Sequence, residues 1–280
     1  MKPQNLAIAI ATAFLIISFT ACKKANSAKA EIETTIELST EQAVADNLTE
    51  DANDIFMEAA TQNGLTGEAT LAPFQSRGML ACASVTITPL TGFPKIIVIN
   101  FGTGCTSANG IIRKGKINIV LSDSSRKTGS TAVLTFDTYY VNGFKKEGTV
   151  TWTNNNTATS KGWQRKVENG KITAPNGKYW LHSGVKNVVQ TAGYNTPRNL
   201  LDDVFLITGT STISNSNSET STSSIIDALE KSTACENITK GSIELNGPNH
   251  SAVIDFGNGE CDNTATISVD GGAKRTILLR

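Results

Sequence analysis

One pattern occurs twice in this 280-residue chain and limits what it can fold into. The first copy runs Cys82-Ala-Ser-Val-Thr-Ile-Thr, breaks, and resumes as Lys95-Ile-Ile-Val-Ile-Asn-Phe-Gly-Thr-Gly-Cys105. The second runs Cys235-Glu-Asn-Ile-Thr-Lys-Gly-Ser-Ile-Glu-Leu, breaks, and resumes as Ser251-Ala-Val-Ile-Asp-Phe-Gly-Asn-Gly-Glu-Cys261. In each, a Cys opens a run of strand formers, and a second run ends in Phe-Gly-x-Gly before another Cys. Each copy reads as a β-hairpin closed at its open end by its own disulfide. The shared grammar selects Cys82–Cys105 and Cys235–Cys261 from the three possible pairings; the alternative is four buried reduced thiols. Each bridge closes a loop of roughly 25 residues, which in the chain-entropy model contributes ~3 kcal/mol. Glu260 has no counterpart in the first copy and stands where it can shift the second disulfide's register.

Most of the remaining chain is strand-forming. Segments such as Gly115-Lys-Ile-Asn-Ile-Val-Leu, Ala132-Val-Leu-Thr-Phe, Gly148-Thr-Val-Thr-Trp and Asp203-Val-Phe-Leu-Ile-Thr are β-branched or aromatic, and many alternate with period two. Ser223 to Lys231 also reads as a strand leading toward Cys235. Asn142-Gly143, Asn169-Gly170, Asn176-Gly177, Asn246-Gly247 and Asp270-Gly271 supply the positive φ angles of two-residue hairpin turns. Short turns join antiparallel neighbours. The expected fold class is therefore all-β over residues 75–280, an antiparallel meander of about a dozen strands forming a sandwich, an open barrel or an extended sheet.

One helix is expected before it, over 39–64. Ser39-Thr-Glu-Gln42 matches a capping box, Val44, Leu48, Ala52, Ile55, Phe56 and Ala59 recur at helical spacing, and Asn63-Gly64 stops the run. Its other face carries Glu41, Asp46, Glu50, Asp51, Asp54 and Glu58. Without an Asp-x-Asp-x-Asp-Gly loop to concentrate ligands, these six are expected to be a solvated acidic face rather than a calcium site.

The N-terminal residues speak to compartment. Leu6 to Phe19 is a nearly unbroken apolar run, suited to a signal-peptide core and too short to span a bilayer comfortably. It ends in Thr20-Ala21-Cys22, small residues before a Cys as in a bacterial lipobox. The expectation is a leader over 1–21, acylation of Cys22, and a flexible tether over 22–38; the alternative is plain secretion with cleavage near Ala21. Several acyl chains on one Cys bind a membrane firmly, at ~0.8 kcal/mol per buried methylene. Four remaining cysteines agree with an oxidising envelope.

Catalytic patterns are scarce. Lysine and arginine number 25 and aspartate and glutamate 25, so no basic excess argues for nucleic acid. His-Glu-x-x-His, Cys-x-x-Cys and Gly-x-Ser-x-Gly are absent from the sequence, so no metal, cofactor or catalytic residue is assigned, and the two histidines, His182 and His250, read as structural or surface residues. Asp202, Asp203, Asp255 and Asp262 are weak candidates for a carboxylate pair. Asp255 matches Asn100 of the first copy, which suits a role in turning the chain. Tyr139, Trp152, Trp163, Tyr179 and Trp180 are candidate ligand-binding residues, since flat aromatics on an exposed sheet stack on sugar rings; equally, aromatics dominate β cores. In strict alternation Phe136 shares a face with Tyr140, and Tyr139 takes the other.

The lipobox, the acidic helix, Cys-x-x-(Val/Ile)-Thr, Ile-x-Phe-Gly-x-Gly-Cys, Gly115-Lys-Ile-Asn-Ile, Tyr140-Val-Asn-Gly143 and Asp255-Phe-Gly-Asn-Gly-x-Cys261 together resemble a family of uncharacterised Bacteroidota envelope lipoproteins. That resemblance implies an outer-membrane location through a lipid anchor and carries no activity. The expected role is structural or accessory, without catalysis; the alternative is a surface module binding carbohydrate or another ligand. Expected partners are the membrane and either a polysaccharide or another envelope protein.

Overall fold

The structure, a computed structural model, describes residues 8–68, 72–108 and 110–279, with side chains from residue 28 onward. The side chains of residues 1–21, the expected leader, and of Cys22 lie outside the described residues. A helix, α1 (Ile8–Gln62), precedes fourteen strands. The first seven are β1 (Ser84–Thr88), β2 (Lys95–Asn100), β3 (Cys105–Thr106), β4 (Ile112–Leu121), β5 (Thr131–Val141), β6 (Phe144–Asn154) and β7 (Gly162–Thr173). The rest are β8 (Tyr179–Ala192), β9 (Val204–Asn215), β10 (Thr220–Ser232), β11 (Lys240–Asn246), β12 (Ser251–Asn258), β13 (Thr264–Val269) and β14 (Arg275–Leu278). All belong to one antiparallel sheet in chain order, with β2 and β3 lying end to end along β4 and with β1 and β14 as its edges.

The sheet is open and curls around α1. From Glu41 to Thr61 every helical residue is buried except Met57, which is half-buried. A helix packed on one side of a flat sheet would leave a face in water; burial all round comes from the curled strands together with the loop from which Arg77 and Leu80 reach Asp54 and Glu58. Inward positions along the strands are apolar for most of their length: Ile97 and Ile99, Ile117 and Ile119, Ile243 and Leu245, Ile254 and Phe256. These enclose Leu48, Ala52, Ile55, Phe56 and Ala59 on the helix's apolar stripe.

Bulges provide the curl. At the first, Lys114 and Lys116 of β4 oppose Tyr140 and Asp137 of β5, so β5 carries one extra residue. Gly115 lies against it, and a Cβ there would come within 2.0 Å of the Thr138 carbonyl oxygen. Gly148 of β6 makes the same approach to β7, where its Cβ would meet the Asn169 carbonyl at 2.5 Å. Glycine at such points lets strands bend onto one another.

The bulges correct two sequence expectations. The extra residue in β5 reverses the side-chain parity after it, so Phe136 and Tyr139 share the inward face, stacked with centroids 5.7 Å apart. Asn169-Gly170 is not a hairpin turn: it lies inside β7, where Asn169 has φ +51° at a bulge. Bulges and two-residue turns make the same demand for left-handed backbone, so this dipeptide signals either. The other four Asn-Gly and Asp-Gly pairs fall at the links between consecutive strands, Asn246 being the last residue of β11, and Ser223 to Lys231 is strand, within β10.

The helix also departs from expectation. Backbone helix extends through 23–38 instead of a flexible tether, and Ser39 caps nothing; its Oγ donates to the Thr35 carbonyl at 2.7 Å. Its end is as expected: Gly64 adopts φ +67° and Leu65 N–H reaches back to the Ala60 carbonyl at 2.8 Å. Among the described residues no helix is long and apolar enough to cross a membrane.

Both hairpins close as anticipated. Cys82–Cys105 and Cys235–Cys261 are bonded, with Cα atoms 5.6 and 5.7 Å apart, so Glu260 leaves the second bridge's span like that of the first. Asn100 accepts from Gly102 N–H at 2.9 Å and Asp255 from Gly257 N–H at 3.0 Å, equivalent turns in the two copies.

Candidate functional site

The acidic face of α1 is not solvated. Glu41, Asp46, Glu50, Asp51, Asp54 and Glu58 are each no more than 6% exposed. Four of them, Asp46, Glu50, Asp51 and Asp54, face cations that the strands curling over them present at inward positions. In Trp163-x-Arg165-x-Val167 and Leu229-x-Lys231 a cation occupies the parity of the neighbouring apolar residues.

Two guanidinium forks anchor the layer. Arg113 of β4 donates from Nε to Asp51 Oδ2 at 3.0 Å and from Nη2 to Oδ1 at 2.5 Å, while its Nη1 reaches Ser107 Oγ at 3.1 Å. Tyr139 O–H donates to the same Asp51 carboxylate at 3.3 Å. Burial alone would make Arg113 a weaker base, but the adjoining Asp51 charge and hydrogen bonds outweigh it and hold the guanidinium more firmly protonated. Arg165 of β7 grips Glu50 with both terminal nitrogens, Nη1 to Oε2 at 2.9 Å, with the same balance of burial and pairing. Paired forks of this kind fix orientation as well as charge.

Lysines complete the layer. Lys231 Nζ donates to Asp54 Oδ2 at 2.9 Å and to the carbonyls of Ser232 and Cys235, and Arg77 meets the same Asp54 oxygen at 2.6 Å. Lys146 Nζ donates to Thr49 Oγ1 at 2.9 Å. Burial, with help from Arg165, pushes its pKa down to about 7 against the pull of Asp46, Asp51 and Glu50. Lys186 is likewise lowered by burial, with Asp46 Oδ2 at 3.8 Å opposing. His182, 3.9 Å from Asp46, is pushed down to about 3 by burial, so it is a neutral ring inside the body rather than a surface histidine. Further polar contacts hold the helix elsewhere: Trp152 Nε1 donates to Asn53 Oδ1 at 2.7 Å, Ile238 N–H to Asn47 Oδ1 at 3.1 Å, and Leu80 N–H to Glu58 Oε1 at 3.1 Å.

The aromatic candidates fall mostly inside. Tyr139, Trp152, Trp163 and Trp180 are buried, and of the five only Tyr179, at 38% exposure, faces water. Phe56 meets Trp152 edge-on at 5.0 Å, Trp152 lies 4.2 Å from Trp163, and Trp163 meets Phe205 at 4.9 Å. This row packs the helix's C-terminal half against the sheet. Four of the five are therefore core residues and not part of an exposed stacking platform, and Tyr179 alone remains on the surface.

Asp202 and Asp203 lie side by side: a Cβ on Gly193 would fall 2.8 Å from Asp202 Oδ1 and 2.1 Å from Asp203 Oδ1. Asp203 is fully buried, accepts from Gln190 at 2.8 Å and is pushed up to about 7 by burial against Arg126. Asp202 accepts from Thr196 and Asn199, Asp255 pairs with Lys274, and Asp262 accepts from Thr264 N–H. Among the described residues no group of three His, Cys, Asp or Glu side chains is arranged to hold a metal ion. Comparison with protein-family models, curated proteins and solved structures returns no match.

Proposed function

We propose that this chain is a lipid-anchored protein of the bacterial envelope, held at the outer membrane, with a structural or accessory role rather than a catalytic one. The pairing of cysteines carries the reading. Each disulfide joins cysteines within one arm, which leaves Cys22, directly after Thr20-Ala21, as the one cysteine outside them. Bonds of this kind persist in oxidising compartments.

The course of α1 supports the same reading. Its residues 28–31 are exposed where it leaves the sheet, and at 1.5 Å per residue position 22 lies roughly 9 Å further along the axis. A continuous helix of that kind serves as a stalk between lipid and body. The body's strongest polar groups, Asp51 with Arg113 and Glu50 with Arg165, are engaged in holding that stalk, which suits a load-transmitting role.

Labelling with an alkyne palmitate, followed by detergent phase partitioning, tests this. The wild-type chain should take the label and enter the detergent phase, and Cys22→Ala should do neither. An unlabelled wild type, or label retained in Cys22→Ala, contradicts the proposal.

A further inference from the structure

At the mouth through which α1 leaves the sheet, a cavity of about 510 Å³ lies between helix and strands. That is within the 300–1,000 Å³ of small-molecule sites. Val44 of α1, Phe144 at the start of β6, Ala174 and Trp180 flanking the β7–β8 turn, and Leu278 of β14 form its apolar walls. Leu278 is 62% exposed, so one wall stands open to solvent, and the Phe144 and Trp180 rings meet edge-on at 6.4 Å.

The polar lining of the same cavity includes Glu37, Glu41, Lys178 and the Trp180 indole. Lys178 stands at the rim with Nζ 2.6 Å from Glu37 Oε1. Trp180 Nε1 and Glu41 Oε2 are buried, and neither has a hydrogen-bond partner among the described residues. Leaving such groups unpaired is costly, and a ligand that engages them recovers that cost.

We propose that this cavity binds a single-chain fatty carboxylate, its hydrocarbon along the Val44, Phe144 and Leu278 walls and its head group toward Lys178, Trp180 and Glu41. An ammonium, an indole N–H and a carboxyl O–H are all donors, and a carboxylate can accept from all three, the Glu37 charge at the rim being already met by Lys178. A sugar would leave the apolar walls unmatched, and a cationic amphiphile would meet Lys178. Glu41 supplies its O–H at neutral pH: burial and then Glu37 raise its pKa, Lys178 opposes, Glu219 from the β9–β10 turn adds to the rise, and the result is about 8. Lys178 itself is raised by its hydrogen bond to Glu37 and stays cationic throughout that range. Ionisation of Glu41 therefore turns a donor into a repelling charge, and affinity falls as pH rises past about 8.

The proposal stands apart from the lipid anchor, so its test uses the full chain carrying Cys22→Ser. Fluorescence titration with cis-parinaric acid should saturate, and palmitate should displace it at least tenfold more effectively than methyl palmitate. Ala174→Trp, which fills the cavity, should weaken binding at least tenfold while the thermal melt stays cooperative. Glu41→Gln keeps a donor that cannot ionise; it should bind at pH 7 and abolish the loss seen in the parent between pH 7 and 9. Non-saturable binding, equal displacement by the methyl ester, or a parent and Glu41→Gln with the same pH profile would overturn the assignment. Should Ala174→Trp fail to fold, the ester comparison and the pH profile decide.

Discussion

The two ends of the described helix use the same chemistry in opposite surroundings. Over its outer turns, Glu33 pairs with Arg275 at 2.9 Å and Glu37 with Lys178 at 2.6 Å, and all four side chains are at least a third exposed. Farther in, Glu50 pairs with Arg165 and Asp51 with Arg113, and none of these is more than 3% exposed. Exposed ion pairs generally contribute ~0–1 kcal/mol because water and salt screen them and their side chains lose entropy on pairing. A buried pair gives little net stability over an apolar pair of the same shape, yet losing one partner strands a charge at a cost of roughly 3–5 kcal/mol. The outer pairs are therefore dispensable. The inner ones fix where the helix sits.

The largest expected effect comes from stranding a buried charge. Glu50→Ala leaves Arg165 alone inside the sheet and should destabilise the body by ~3–5 kcal/mol, read as a fall in the urea midpoint. A loss below 1 kcal/mol would mean the arginine finds water, against its burial here.

Next comes pH. The His182 ring has its pKa lowered to about 3 in the folded state from the ordinary 6.5, so the unfolded chain binds the extra proton between those values. Its contribution is full above pH 6.5 and is lost as pH falls toward 3, by on the order of a few kcal/mol. His182→Asn should flatten the rise in stability between pH 3 and 6.5 that the parent shows. An unchanged slope would assign that rise to other groups.

Removing both members of an inner pair is expected to do less harm than removing one. Asp51→Leu with Arg113→Leu should recover most of the stability that Asp51→Leu alone loses, since apolar pairs of similar size replace buried ion pairs at little net cost. Ser107 Oγ and Tyr139 O–H then lose a charged partner, which keeps recovery short of complete. At the outer end, Glu33→Ala should shift the midpoint by no more than ~0.5 kcal/mol, and the shift should vanish in high salt. A larger, salt-resistant change would erase the contrast between the two ends.

Strand content, most of the turns and both disulfides were legible in the sequence, because each depends on local chemistry. Alternation marks a strand wherever it pairs, Gly after Asn supplies a positive φ, and the repeated Cys–Phe-Gly-x-Gly grammar pairs near neighbours. The acidic face was misread because burial of Asp51 is decided by Arg113, 62 residues away, and nothing local to the helix shows that partner. A signal was present in the strands: Arg165 stands between Trp163 and Val167, and Lys186 precedes Val188 at the same spacing, so cations occupy core parity. Tyr139 was assigned to the wrong face because one extra residue in β5 reverses alternation, and the left-handed residue there is Thr138, which carries no glycine or asparagine signal. Ser39 looked like a cap because a cap and a mid-helix Ser bonding back to Thr35 differ only in what precedes them.

Whether the inner carboxylates are enclosed and paired is tested most directly by a double-mutant cycle on Glu50 and Arg165. With Glu50→Ala, Arg165→Ala and the double variant measured by urea unfolding, the coupling energy should reach ~2–3 kcal/mol and barely change with added salt. A coupling below ~1 kcal/mol that salt removes is the signature of a solvated pair, and would contradict a helix held inside the sheet by buried charge.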